Sequence, residues 1–191
     1  MSEKTAVLAI MIFSMSLCIS VDVYGQEKDR SALSAEAFLK ASEVLKAPRC
    51  ANCHPRGERP LQGNDSHPHI MNVMRGPEGL GKNGLWCSTC HQDRNLQGAH
   101  MPPGGPGWQI PPKDMPMVFE GSTPREICLH LKDPAQNGQR SPDEVLEHVE
   151  DAPIVLWGWN PGEGRTPVPI SHEEFVKNMK EWIDNGAACP E

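Results

Sequence analysis

The pattern of apolar and polar positions divides the chain into an apolar leader, a few short helical stretches and long interruptions. Ala6 to Val21 are nearly all apolar or small, and Val23-Tyr24-Gly25 then gives way to the polar Gln26-Glu27-Lys28-Asp29-Arg30. This pattern reads as a secretory signal peptide over residues 1–25, cut after Gly25, with 26–191 as the mature domain. The alternative is an uncleaved anchor, for which the run is marginal in length. Cys18 is no lipoprotein site, because Leu17 stands where a small residue is expected. No firm membrane anchor is therefore expected.

Beyond the leader, Ala35, Phe38, Leu39, Ser42 and Leu45 recur at helical spacing. They predict a helix over Ser34 to Ala47, ended by Pro48. Ser66 to Met74 reads as a short helix entered through Pro68. Thr123-Pro124-Arg125-Glu126, Ser141-Pro142-Asp143-Glu144 and Ser171-His172-Glu173-Glu174 each place a hydroxyl residue before a Glu at capping-box spacing. Such a box satisfies two otherwise orphaned helix-start amides, and proline is suited to the first helical position. The helices so begun are expected to run to about Lys132, Glu150 and Asn185. Ile154-Val155-Leu156-Trp157 is long enough only for a minor strand. The expected fold class is mainly α with extensive Pro/Gly-rich loops.

The longest interruption is Met101 to Met117, with prolines throughout. Proline lacks an amide hydrogen and fixes its own φ, so this segment is neither helix nor central strand. A loop of that length in a small domain is usually functional or packed on something. Composition points the same way: of 191 residues only 38% are hydrophobic and 5% aromatic, while glycines and prolines number 17 and 19. That is little material for a core of side chains alone, so another group is expected to help fill the interior. The net charge of −7 lacks the basic footprint of a nucleic-acid binder. It favours a protein partner with a basic patch.

The cysteines supply the candidate interior group. There are seven in all, and setting aside Cys18 leaves two Cys-x-x-Cys-His units, Cys50-Ala51-Asn52-Cys53-His54 and Cys87-Ser88-Thr89-Cys90-His91, together with Cys128 and Cys189. Cys-x-x-Cys-His is the c-type haem attachment pattern. The two thiols add across the haem vinyl groups, and the adjacent imidazole becomes an axial ligand of the iron. Two such units behind an export leader predict two haem c groups, held by Cys50, Cys53, Cys87 and Cys90, with His54 and His91 as proximal ligands. Zinc is the rival, but the gap between the pairs exceeds the usual ribbon spacing, and zinc does not need a His after each pair. Thiol exchange would want a βαβ context, which is missing. In an oxidising compartment Cys128 and Cys189 are expected to form a disulfide; two buried free thiols are the alternative.

The sixth ligand of each iron has several candidates. His69 is preferred for the first haem, with His67 as the alternative. For the second, His148 lies on the apolar side of its helix, and His100 and Met101 closely follow the motif; Met115 and Met117 are further options. Histidine ligation on both sides gives a lower potential than Met/His ligation. His130 reads as a surface residue and His172 as an exposed helix start. Trp86, Trp157 and Trp159 are expected to pack. A faint echo links Leu61-Gln62-Gly63 and His67 after His54 with Leu96-Gln97-Gly98 and His100 after His91.

Several stretches resemble a bacterial family labelled isoquinoline 1-oxidoreductase subunit. They are Cys50-Ala51-Asn52-Cys53-His54, Pro68-His69-Ile70-Met71-Asn72-Val73, Cys87-Ser88-Thr89-Cys90-His91-Gln92-Asp93, His100-Met101-Pro102-Pro103-Gly104, Leu131-Lys132-Asp133-Pro134-Ala135-Gln136-Asn137-Gly138, Leu156-Trp157-Gly158-Trp159-Asn160-Pro161-Gly162 and Gly186-Ala187-Ala188-Cys189-Pro190. The resemblance covers nearly all of the mature chain. It implies a small periplasmic dihaem cytochrome that accepts electrons from a periplasmic molybdenum hydroxylase. The His54, His67 and Cys87 spacing is also loosely similar to the dihaem subunit of periplasmic nitrate reductase. The expected role is an electron carrier between a redox donor and acceptor. A dihaem enzyme such as a peroxidase is the second reading, and a zinc-binding module the third.

Overall fold

The computed structural model describes residues 26–191; the expected signal peptide lies outside the described residues. Among the described residues the architecture is mainly helical, 45% helix and 5% strand. Helix α1 covers 26–46. It is followed by the single turn α2 (Pro48–Ala51), the hairpin β1 (Leu61–Gln62) with β2 (His67–Pro68), and a 3-10 turn at Ile70–Asn72. A second hairpin, β3 (Gly81–Lys82) with β4 (Leu85–Trp86), leads into the turn α3 (Cys87–Cys90). After an irregular stretch come α4 (Pro124–Lys132), α5 (Pro134–Asn137), α6 (Pro142–Asp151), α7 (Pro153–Leu156) and α8 (His172–Asp184).

Helices α4 and α6 start as their sequences predict. Thr123 and Ser141 each accept from the amide of the Glu three residues on, and that Glu returns to the cap amide. At α8 only half of the box forms: Ser171 accepts from the Glu174 amide. Three further expectations are corrected. The 66–74 segment is a hairpin arm and one 3-10 turn, interrupted by the left-handed Met71 (φ 60°). The 154–157 stretch is helical, because Pro153 starts a turn there and leaves no partner strand. In α1 Phe38, Ser42 and Leu45 are buried as expected, but so are Ser34, Ala37, Ala41 and Val44, while Leu39 is 45% exposed.

Those α1 side chains pack with Ile127, Cys128 and Leu131 of α4, Val145 and Val149 of α6, and Phe175, Met179 and Trp182 of α8. Phe38 and Trp182 meet with ring centres 4.9 Å apart. Each fully buried Val, Leu, Ile, Phe or Met among them contributes about 1.5–3 kcal/mol. The C-terminal tail closes this core. Ser34 Oγ donates to the Trp182 carbonyl and accepts from the Ala188 amide, and Cys128 and Cys189 are joined in a disulfide. A bridge closing a loop of 61 residues restricts the unfolded chain by about 4 kcal/mol in the loop-entropy picture. The helical part therefore has a side-chain core of its own, contrary to the expectation drawn from the low aromatic content. Between residues 52 and 116, by contrast, Ile110 is the only hydrophobic residue in the buried set.

Candidate haem-binding sites

The first motif straddles the end of α2, where Pro48 sets the helical φ and Ala47 is extended. The His54 amide donates back to the carbonyls of Cys50 and Ala51, at 3.2 and 3.1 Å. The imidazole lies flat on Phe119, ring centres 4.1 Å apart at 17°. Its Nδ1 is 2.8 Å from the Met117 carbonyl. A carbonyl only accepts, so Nδ1 carries the proton and Nε2 keeps its lone pair.

The second motif has the same local device. Cys87–Cys90 form one turn behind the extended Trp86, and the His91 amide closes on the Cys87 carbonyl at 2.9 Å. The His91 Nδ1 donates to the Pro103 carbonyl at 2.7 Å. Its ring stacks on Trp108, with centres 4.7 Å apart at 9°, and Trp108 meets Trp157 edge-on. Both imidazoles are thus oriented by carbonyls near opposite ends of the Met101–Met117 loop, each with Nε2 left over. A hydrogen bond to the far nitrogen is what fixes a metal-binding histidine's tautomer and ring orientation. Sequence reasoning saw the loop but missed these two acceptors, because any residue can present a carbonyl. One backbone feature marks the spot: Met117 adopts a left-handed φ of 39°, a strained conformation for a residue with a side chain.

The loop is tied down by polar groups. Arg75, 2% exposed, donates to the carbonyls of Pro55, Gly57 and Pro111. Asn95 Oδ1 accepts from the Gly104 amide and from Trp157 Nε1, and Asn95 Nδ2 donates to the Asn160 carbonyl. Gly104 passes so close to the chain at 92–94 that a Cβ there would stand 2.3 Å from the carbonyl oxygens of Gln92 and Arg94. The adjacent Pro103 carbonyl is held in place by this approach.

Electrostatics suit neutral imidazoles and protonated thiols. Burial lowers the His54 pKa to about 4, even against the bond to Met117. Burial also lowers His91 and His148. It raises Cys50 to about 12 and Cys53 to about 11. Cys87 is raised as well, again by burial, and it lies near enough to Cys53 to add to that thiol's shift. None of the four motif cysteines is in a disulfide. Arg49 is 5% exposed; it donates to the Gly63 carbonyl and Asn64, while its Nε has no partner. Arg165 lies near enough to lower its pKa, after burial itself. Among the described residues no arginine pairs with a carboxylate side chain.

Two thiols and one imidazole at each motif are the donor set that a haem c group would use. Among the described residues no three His, Cys, Asp or Glu side chains converge to hold a metal ion. A tetrahedral zinc site needs four such donors, whereas porphyrin leaves only axial positions for the protein. Arg49, whose Nε has no partner and which pairs with no carboxylate among the described residues, and Arg165 beside it offer positive charge to carboxylates such as haem propionates. Leu80, Leu85, Trp86 and Leu96, which flank the second motif in sequence, are exposed.

The other sequence candidates are placed as follows. His69 stands beside His91, ring centres 6.1 Å apart. His67 has both ring nitrogens engaged, with Asp65 at 2.6 Å and Gln62 at 2.9 Å. His100 is exposed on a left-handed residue (φ 62°), its ring over Gly164. Met101 is 42% exposed. Met115 packs against Gly138, and the Met117 side chain belongs to the core. His148 is half-buried on α6, close enough for its charge to contribute to the low pKa of His54. Two surface expectations are corrected. His130 is half-buried and reaches the Val118 carbonyl, and His172 is half-buried between Trp159 and the Val149 carbonyl. Comparison with family models, with curated proteins and with solved structures returned no match to this chain.

Proposed function

We propose that this chain is an exported c-type cytochrome that carries two covalent haems and passes single electrons between redox proteins. The observation that carries this reading is the shared arrangement of His54 and His91: each follows a Cys-x-x-Cys pair, spends Nδ1 on a loop carbonyl and keeps Nε2 for an axial bond. The haem, when bound, supplies a one-electron couple at each iron. Cys50 and Cys53, and Cys87 and Cys90, would form the thioether bonds; His54 and His91 would be the proximal ligands. His69, His148, His100, His67 and Met101 remain the pool for the sixth positions. Arg49 and Arg165 would meet the propionates.

Two further parts of the reading rest on sequence. Residues 1–25 would direct export to the periplasm or beyond, where such haems are attached and where the Cys128–Cys189 disulfide is stable. The resemblance to the isoquinoline 1-oxidoreductase subunit family suggests a periplasmic molybdenum hydroxylase as electron donor. The charge of −7 suits a basic docking face on that partner.

The test is expression of the full chain with a c-type maturation system, followed by denaturing electrophoresis and haem quantitation. Two covalent haems per chain are expected, falling to one when either cysteine pair is changed to serine. Two haems remaining after loss of Cys87 and Cys90 would defeat the reading, as would a haem-free, zinc-loaded protein. Rapid peroxide turnover by the matured protein would replace electron carriage with the peroxidase reading.

A further inference from the structure

His69 and His91 are related in a way that a chance neighbouring pair need not be. Their ring centres are 6.1 Å apart. A direct hydrogen bond between two imidazoles would draw the centres to about 5 Å. Two imidazoles on opposite sides of one metal ion, each nitrogen about 2 Å from it, have centres about 6 Å apart. The His69 Nδ1 donates to its neighbour's carbonyl, Ile70, at 2.8 Å, just as His91 donates to Pro103. Each ring therefore has only Nε2 to offer. His69 is also held from behind: its amide donates to the Pro60 carbonyl, and Gln62 Oε1 accepts from the Ile70 amide.

We propose that His69 and His91 are the two axial ligands of one iron, that of the haem attached at Cys87 and Cys90. This rests on the cytochrome reading above and adds what it left open. The ligand comes from the hairpin that follows the first motif, so the second haem binds the chain on both sides of Gly76–Gly84. His67 has no free ring nitrogen. His100, nearer in sequence, lies instead over Gly164. The first haem is then left without His69.

The experiment uses matured single-haem proteins. In the Cys50→Ser/Cys53→Ser background only the second haem is attached. There His69→Ala is expected to turn the ferric haem from low-spin to high-spin by electron paramagnetic resonance, with added imidazole restoring the low-spin signal. His69→Met is expected to keep six-coordination but raise the potential, as methionine does in place of histidine. In the Cys87→Ser/Cys90→Ser background His69→Ala is expected to leave the spectrum of the first haem unchanged. A second haem that stays low-spin and unshifted without His69 overturns the assignment, as does a spectral change confined to the first haem. A wild-type protein with no covalent haem overturns the cytochrome reading itself, and that outcome is seen before any substitution is made.

Discussion

Around Cys50 and Cys53 the chain rests on side chains; around Cys87 and Cys90 it rests on a loop. Ala51 is part of the helical core, Cys50 packs against it, and Phe119 brings that core up to the His54 ring. Cys90 and Trp86 are exposed, and the support under His91 is Trp108 together with the Asn95 and Gly104 contacts. The same pentapeptide pattern is therefore mounted in two ways. One site borrows rigidity from a hydrophobic core. The other is framed by backbone hydrogen bonds and buried polar side chains, with apolar surface left uncovered. On the proposed reading the first haem joins an existing core, and the second makes one.

The largest effect expected from this contrast is on stability before haem is attached. Trp182, 1% exposed, should cost about 3–5 kcal/mol when truncated to alanine, because a large cavity opens in the helical core. Trp86, 46% exposed, should cost within about 0.5 kcal/mol on the same substitution. Urea unfolding of haem-free protein followed by circular dichroism measures both. Equal losses would mean that the loop region shares in the core after all.

The next effect is on thiol chemistry. Alkylation of haem-free protein at mildly alkaline pH should mark Cys90 first and Cys50 last, with rates roughly a hundredfold apart. Cys90 is exposed, whereas Cys50 is pushed up to about 12 by burial, so almost none of it is thiolate. Peptide mapping against time gives the order. Comparable rates at the two motifs would break the comparison directly.

How much of this was legible in the sequence differs between the two regions for the same reason. The helical part is local chemistry: capping residues and periodic apolar positions mark α4, α6 and α8 within a residue or two. The two Cys-x-x-Cys-His units stand out because their spacing is fixed within five residues. In α1 the periodic Phe38, Ser42 and Leu45 are legible, whereas the small Ala37 and Ala41 and neighbouring Val44 take their burial from the rest of the core. In 52–116 the supports are backbone carbonyls, a buried Arg75 and a buried-side Asn95 network. None of these leaves a periodic or compositional trace. Proximity in sequence favours His69 for the first motif, whereas the hairpin fold brings it beside His91.

A smaller effect isolates the loop framework. Gly104→Ala forces a methyl group against two carbonyl oxygens, at a cost of about 1–3 kcal/mol if the loop shifts to accommodate it. The Pro103 carbonyl should move with it, so Cys87 should alkylate faster while the helical unfolding transition stays in place. A shift of the helical transition by the full amount would instead show that the loop and the core unfold as one unit.

The smallest effect is expected in acid, and only in the helical part. Glu126 and Glu144 have carboxyl pKa values below the usual range, chiefly because each accepts from the backbone amide of its cap residue, Thr123 or Ser141. A carboxylate whose folded pKa is depressed contributes stability that is fully present above its unfolded pKa, ordinarily 4.5. That contribution is lost as pH falls through the folded value. Both groups are solvent-exposed, so screening keeps the effect small. Glutamine also serves in a capping box, so Glu126→Gln/Glu144→Gln should keep both helix starts while removing part of the acid dependence. Helical unfolding midpoints at pH 3 and pH 6 are the measurement: the difference between them should shrink in the double variant. An unchanged difference would assign the acid sensitivity to other groups, and the depressed, half-buried His148 of α6 would be the first to examine. A neutral buried imidazole also loses stability as pH falls, but the loss begins nearer its ordinary value of 6.5, and the onset of the acid limb separates the two causes.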